Sequence, residues 1–284
     1  MRKLVHAKFA DAPPGKDWST EPAPVIGENR LQSADRLCAW LKREGFKEGG
    51  PCSGVKKKME RDTETFVTPL AWACFTGELE MCEWLFEVGA ASDISKADED
   101  GFTPMLSTCE GGYLSVSKWL WKVGAAADIT RACNDGRTPM YMACHQGHLS
   151  MAKWLFEVGA TADISRIVNQ GITPMYISCC GGHLLLCEWL FEVGAAKDIT
   201  KANKFGETPM FIACSQSHLS VCKWLVFNGA LNTPPPAQHD DGHDDQNIVK
   251  RDTRPNWRGD DTSYRPELLA WAQDVAATHH TFLH

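Results

Sequence analysis

The chain predicts an all-α fold, a solenoid of stacked helix-turn-helix units with β-turn or hairpin fingers, on three observations. Thr-Pro followed by Leu or Met recurs at Thr68, Thr103, Thr138, Thr173 and Thr208, five copies at a period of 35 residues. Each copy carries two stretches of helical apolar spacing, and each closes on glycine and turn residues before the next Thr-Pro. A fixed period of this length marks stacked supersecondary units, none of which buries its apolar face without a neighbour.

Within one copy the elements follow in order. Thr138-Pro139 is a helix start: the hydroxyl accepts from orphan amides, and proline presets φ where no donor is needed. Met140, Ala143, Cys144 and Gly147 then fall at i, i+3, i+4 and i+7, one helical stripe. A second helix is predicted from His148 to Val158, where Ser150, Lys153 and Glu157 are the polar residues and form one narrow face. A helix wetted on a single stripe has neighbours on both flanks, as in the middle of a stack. Gly159 stops it. The loop through Asp163-Ile164-Ser165-Arg166 leads to Asn169-Gln170-Gly171, turn chemistry shared with Asn134-Asp135-Gly136 and Glu99-Asp100-Gly101. Trp84, Trp119, Trp154, Trp189 and Trp224 occupy one repeat position and are expected as core knobs.

The repeat frame also accounts for most of the 12 cysteines. Cys74, Cys109, Cys144, Cys179 and Cys214 share one position. Cys82, Cys187 and Cys222 share a second, which is Ser117 and Ala152 in the other copies. A position that accepts Cys, Ser or Ala demands a small side chain, so these are expected as buried thiols in a reducing compartment. Cys179, Cys180, His183 and Cys187 resemble a zinc set in composition. However, His148 and His218 fill the same position as His183 without those cysteines, and no CxxC pair occurs, so no metal and no cofactor are expected.

With 43% hydrophobic and 23% charged residues, the composition is that of a soluble globular protein. The net charge of −7 is uneven: residues 1–67 carry 13 basic and 10 acidic side chains, residues 68–230 carry 11 and 17, and residues 231–284 carry 5 and 9. An acidic repeat body repels phosphate backbones, so no nucleic acid is expected, and Lys56-Lys57-Lys58 reads as a solvated linker. No apolar run reaches signal-peptide or membrane-span length, which predicts a protein with no membrane partner, placed in the cytoplasm with the nucleus as alternative.

Outside the repeats the pattern changes. Residues 1–30, with Pro13, Pro14, Pro22 and Pro24, are expected to be disordered. Residues 31–67 read as an N-terminal capping half-repeat and linker, because Cys38-Ala39-Trp40-Leu41 and Gly45 match Cys82-Glu83-Trp84-Leu85 and Gly89 while Lys42 and Glu44 replace Phe86 and Val88. Five repeats follow over 68–230, bounded 68–102, 103–137, 138–172, 173–207 and 208–230. Residues 231–264 read as a flexible polar insertion. Residues 265–284 read as a helix whose Leu269-Ala270-Trp271-Ala272 echoes Leu70-Ala71-Trp72-Ala73, either a divergent repeat, a cap or a partner-docking element.

Asp135-Gly136-Arg137-Thr138-Pro139-Met140, with Gly147-His148-Leu149 and Trp154-Leu155-Phe156-Glu157-Val158-Gly159-Ala160, resembles the ankyrin repeat. Two departures stand out. The period is 35 rather than 33, with the extra residues around Ala160 to Val168. The histidine that follows Thr-Pro-Leu in the family is Ala71, Leu106, Tyr141, Tyr176 and Phe211 here. Apolar packing is expected to replace the link between turns that this histidine makes in the family.

The resemblance implies a protein partner bound on a concave face of finger tips and first helices. Positions unneeded for stacking are free to differ between copies, and the residues before Thr-Pro and along the first helices do differ. The candidate partner-binding set is Glu99, Asp100 and Phe102; Asn134, Asp135 and Arg137; Tyr141 and His145; Asn169, Gln170 and Ile172; Tyr176; Lys204, Phe205 and Glu207; and Phe211. Aromatic and arginine side chains are the expected anchors. No phosphate-cradling Gly loop, nucleophile elbow or HExxH occurs, so no catalytic residue is assigned and the chain is expected not to be an enzyme. The expected function is a monomeric, non-catalytic interaction scaffold. The alternative is a substrate-recruiting or regulatory subunit that docks through its C-terminal helix.

Overall fold

The computed structural model describes residues 29–46, 55–58 and 64–230. The N-terminal segment through residue 28, the insertion 231–264 and the terminal helix 265–284 lie outside the described residues. So do 47–54 and 59–63 of the predicted linker.

In order the elements are α1 (Asn29–Arg43), β1 (Val55–Lys58), β2 (Glu64–Val67), then helix pairs α2/α3 (Pro69–Thr76, Leu79–Glu87), α4/α5 (Pro104–Gly111, Leu114–Val123), α6/α7 (Pro139–His145, Leu149–Glu157), α8/α9 (Pro174–Cys180, Leu184–Leu190) and α10/α11 (Pro209–Ser215, Leu219–Phe227). They fall into two compact units, Met1–Asp163 and Ile164–His284. In the first, α2 packs on α4 and α4 on α6, α3 packs on α5, and α1 packs on α3; in the second, α8 packs on α10 and α9 on α11.

Every first helix starts alike. The threonine is extended (Thr68, φ −76°, ψ 157°), proline takes the first helical position, and the hydroxyl accepts from the amide three residues on: Ala71, Leu106, Tyr141, Tyr176 and Phe211 in turn. One orphan donor is thereby satisfied at each start. These threonines are buried or half-buried, so water does not replace the cap.

The two helices of a pair meet along the small-residue positions. Cys74 and Cys82 place their sulfurs 3.6 Å apart, as do Cys179 and Cys187, and Cys214 and Cys222 stand at 3.3 Å. In the second pair Ser117 Oγ donates to Thr108 Oγ1 at 2.7 Å. In the third, Cys144 and Ala152 are both fully buried. The thiols expected to be buried small hydrophobes are so, with Cys38, Cys180 and Cys214 partly exposed. Burial pushes the Cys109 thiol up to about 12 against the hydrogen bonds of Ser117 and Thr108.

Successive pairs are joined by contacts that the sequence did not reveal. The His148 ring lies across Gly112 and its Nε2 donates to the Glu110 carbonyl at 3.0 Å; His218 does the same over Gly182 to the Cys180 carbonyl at 2.9 Å. The expectation that apolar packing alone replaces the missing family histidine therefore needs amending: a histidine from the turn between helices ties one repeat to the one before. Edge-to-face rings add to this, Phe86 with Trp119 and Phe191 with Trp224. Of the repeat tryptophans, Trp154 and Trp189 are buried and the other three half-buried.

Around the first repeat the structure departs from the predicted linker. β1 and β2 pair antiparallel in register Val55↔Val67 to Lys58↔Glu64. This ladder leads into Thr68 as the fingers lead into later threonines, so the all-α body carries one enlarged finger. Lys56–Lys58 supply backbone to it. In α1, Leu37, Trp40 and Leu41 are buried while Arg36, Lys42 and Arg43 stay exposed, the one-sided character expected of a terminal element. Its ion pairs Arg36–Glu80 and Arg43–Glu78, both 3.4 Å, lie in solvent and add little to stability.

The turn between the helices of each pair needs a left-handed residue. Gly77, Gly112, Gly147 and Gly182 supply it, and Ser217 (φ 62°) takes the same place in the last copy. A side chain there costs about 1–2 kcal/mol. Ser217→Gly is therefore expected to raise the urea midpoint and Gly182→Ala to lower it, because the new Cβ would also sit 2.5 Å from the His218 ring. Equal midpoints for wild type and both variants would contradict this account of the turn.

Candidate functional site

Each finger is built by the same local rules. Asp98 N–H donates to the Phe102 carbonyl at 3.0 Å and Gly101 N–H to the Asp98 carbonyl at 3.1 Å, and the sets Cys133–Arg137, Val168–Ile172 and Asn203–Glu207 repeat the pattern. Within the first unit the fingers are linked by Asn134 N–H to the Asp100 carbonyl at 3.0 Å and Asn134 Nδ2 to the Glu99 carbonyl at 3.0 Å. Within the second, Lys204 N–H donates to the Gln170 carbonyl at 2.7 Å. Gln170 joins Gly171 in the left-handed region (φ 69° and 82°), which in the other fingers only glycine enters.

The candidate residues divide sharply by burial. Phe102, Tyr141 and Tyr176 are 3%, 7% and 5% exposed, so these three rings lie in the packing between helices and fingers and offer a partner no free face. Glu99, Asn134, Asp135, His145, Asn169, Lys204 and Phe205 are exposed; Asp100, Arg137, Gln170, Ile172, Glu207 and Phe211 are half-buried.

Two clusters form. In the first unit the Arg137 guanidinium lies 5.5 Å from the Phe102 ring centre and pairs with Asp135. Burial works against its charge, but the hydrogen bond to Asp135 holds its pKa above the ordinary value. The Tyr141 ring stacks on His145 at 6.2 Å. In the second unit Tyr176 Oη donates to Glu207 Oε2 at 2.9 Å and Asn203 Nδ2 to the same oxygen at 2.7 Å.

Sequence reasoning passed over two sets of positioning residues. Asp98 and Asn203, at the first position of their fingers, lock the loop: Asp98 Oδ1 accepts from Asp100 and Phe102 amides at 3.0 and 2.8 Å, and Asn203 Oδ1 from Phe205 and Glu207 amides at 2.9 and 3.0 Å. Such Asx turns are local and were detectable from side chains at a turn start. The second set is Asp93, Asp128, Asp163 and Asp198, all buried in the loop after the second helix. Lys96, Arg131 and Lys201 pair with their carboxylates at 3.4–3.8 Å, and Arg131 also reaches the Ser95 carbonyl at 3.0 Å. Their signal was Asp-Ile-Ser/Thr recurring in four copies.

Chemically the fingers present carboxylates, a lysine and one large ring on a pinned backbone. Among the described residues no group of three His, Cys, Asp or Glu side chains is placed to hold a metal ion. No described helix is long and apolar enough to cross a membrane.

Burial raises the Asp93 pKa, opposed in part by Lys96, Ser92 and Thr68. A raised folded-state value means the folded chain binds the proton more tightly than the unfolded chain, so stability from this group falls as pH rises through that value. Urea unfolding of wild type and Asp93→Asn from pH 7 toward about 4 should show wild type gaining on the variant as pH falls. A constant gap across that window would refute the assignment.

No curated protein matches the chain significantly. The family model for ankyrin repeats, in three copies, matches residues 70–167 and 159–234, more than half of the 284 residues. With its Thr-Pro-capped helix pairs, glycine turns and projecting fingers, the chain belongs to the ankyrin-repeat family.

Proposed function

We propose that the protein is a non-catalytic adaptor that binds a protein partner through its finger tips and the exposed ends of its first helices. Ankyrin repeats in general mediate protein–protein interaction. The observation that carries the reading here is Phe205. Its ring is 60% exposed at a finger tip, on a loop pinned by the two hydrogen bonds to Asn203 Oδ1. A large apolar side chain held out on a rigid backbone loses little entropy on binding and is the type that dominates interface energies. Lys204 and Glu207 flank it.

The first unit contributes Glu99, Asp100 and Asp135 at its tips, with Arg137 engaged by Asp135, so its finger face favours a basic stretch of partner. The described cysteines are free thiols, which fits a cytoplasmic protein. On this reading residues 68–230 are five repeats acting as a monomeric scaffold, with α1 the capping half-repeat.

Cross-linking mass spectrometry from cell extract would identify the partner, after which Phe205→Ala is expected to weaken binding by at least ~2 kcal/mol, about thirtyfold. Thermal stability should stay unchanged because the ring is exposed. Glu99→Lys with Asp135→Lys should slow association and flatten its salt dependence. Undiminished binding by both variants would count against the finger face.

A further inference from the structure

The last helix pair is open where every earlier pair is closed. Leu70, Met105, Met140 and Met175 share one first-helix position and are all 0% exposed, as are Cys74, Cys109, Cys144 and Cys179. In α10 the same two positions, Met210 and Cys214, are partly exposed. On α11, Phe227 is 66% exposed, at a position that carries Glu87, Lys122, Glu157 and Glu192 in the other copies. A stack ends stably only when its terminal element turns a polar face outward; α10 and α11 instead turn out sulfur and aromatic surface.

We propose that residues 265–284 of this chain dock on α10 as a single-helix cap, with Leu269-Ala270-Trp271-Ala272 taking the place of the next first helix. Three features favour this occupant. The segment repeats the first-helix sequence Leu70-Ala71-Trp72-Ala73, and α10 itself packs on α8 through that same helix type. The next residue is Gln273, where the repeats have the cysteine that faces the second helix, as Cys74 faces Cys82 at 3.6 Å. In the same register Leu283-His284 stand where the first repeat has the second-helix Trp84-Leu85, so a polar side chain suits position 273. Finally, 35 residues separate Ala230 from Pro266. A chain of that length reaches on the order of 30 Å even as a coil, against about 10 Å between packed helices.

The test is hydrogen–deuterium exchange and Cys214 alkylation on the full chain, wild type beside Leu269→Asp. In wild type, Cys214 should react as slowly as buried Cys179. In the variant, exchange across Pro209–Ser215 and alkylation of Cys214 should both rise about tenfold or more while Pro104–Gly111 stays protected. A wild-type Cys214 that reacts as fast as an open thiol would overturn the proposal without recourse to any variant. So would protection that survives Leu269→Asp, or that depends on protein concentration, since the latter would place a second copy on α10.

Discussion

The close approach of the two helices within each repeat is the constraint on which the other contacts rest. Helices of seven to ten residues are too short to persist alone. They hold because small side chains meet at the crossing, thiols in Cys74 with Cys82 and hydroxyls in Ser117 with Thr108, and in the third pair Cys144 and Ala152 occupy the same two positions fully buried. Only with that spacing do the glycine turn, the histidine that bridges to the previous repeat and the finger fall in register from copy to copy. The thiols are consequently packing groups, and the burial that pushes Cys74 and Cys109 up also keeps them unreactive.

The architecture was legible because repetition separates requirement from accident. Thr68 and its four equivalents predicted helix starts that the structure places within a residue, and the Cys/Ser/Ala alternation predicted a tight crossing. Elements present once were harder to read. The β1/β2 ladder has no Thr-Pro copy of its own before it, and its lysines look like linker because strand pairing is a backbone interaction that side-chain chemistry does not announce. The bridges from His148 and His218 were missed for a related reason: each spans 38 residues to a carbonyl, and no side-chain pattern records which carbonyl a ring will meet.

At the candidate site, variation among copies located the fingers but did not separate exposed from buried positions. Phe102 differs from its equivalents, and the position of Tyr141 and Tyr176 is Ala71, Leu106 or Phe211 in the other copies, yet all three rings are enclosed, each by a different neighbour: Arg137 over Phe102, His145 beside Tyr141, Glu207 and Asn203 around Tyr176. Phe205 varies without such enclosure, since the Asx turn at Asn203 aims it outward. Variation marks tolerance, and whether tolerance comes from solvent or from a compensating partner is settled by three-dimensional packing.

If the crossing governs the fold, adding volume there should be far costlier than adding it one turn-face away on the same helix. Equilibrium urea unfolding of Ala152→Leu beside Ser150→Leu tests this, since Ala152 is fully buried at the crossing and Ser150 exposed on the opposite side of α7. Overpacking at Ala152 should remove about 1–3 kcal/mol, whereas Ser150→Leu should stay within about 0.5 kcal/mol of wild type. Equal stability of the two variants would contradict a fold built on the small-residue crossing.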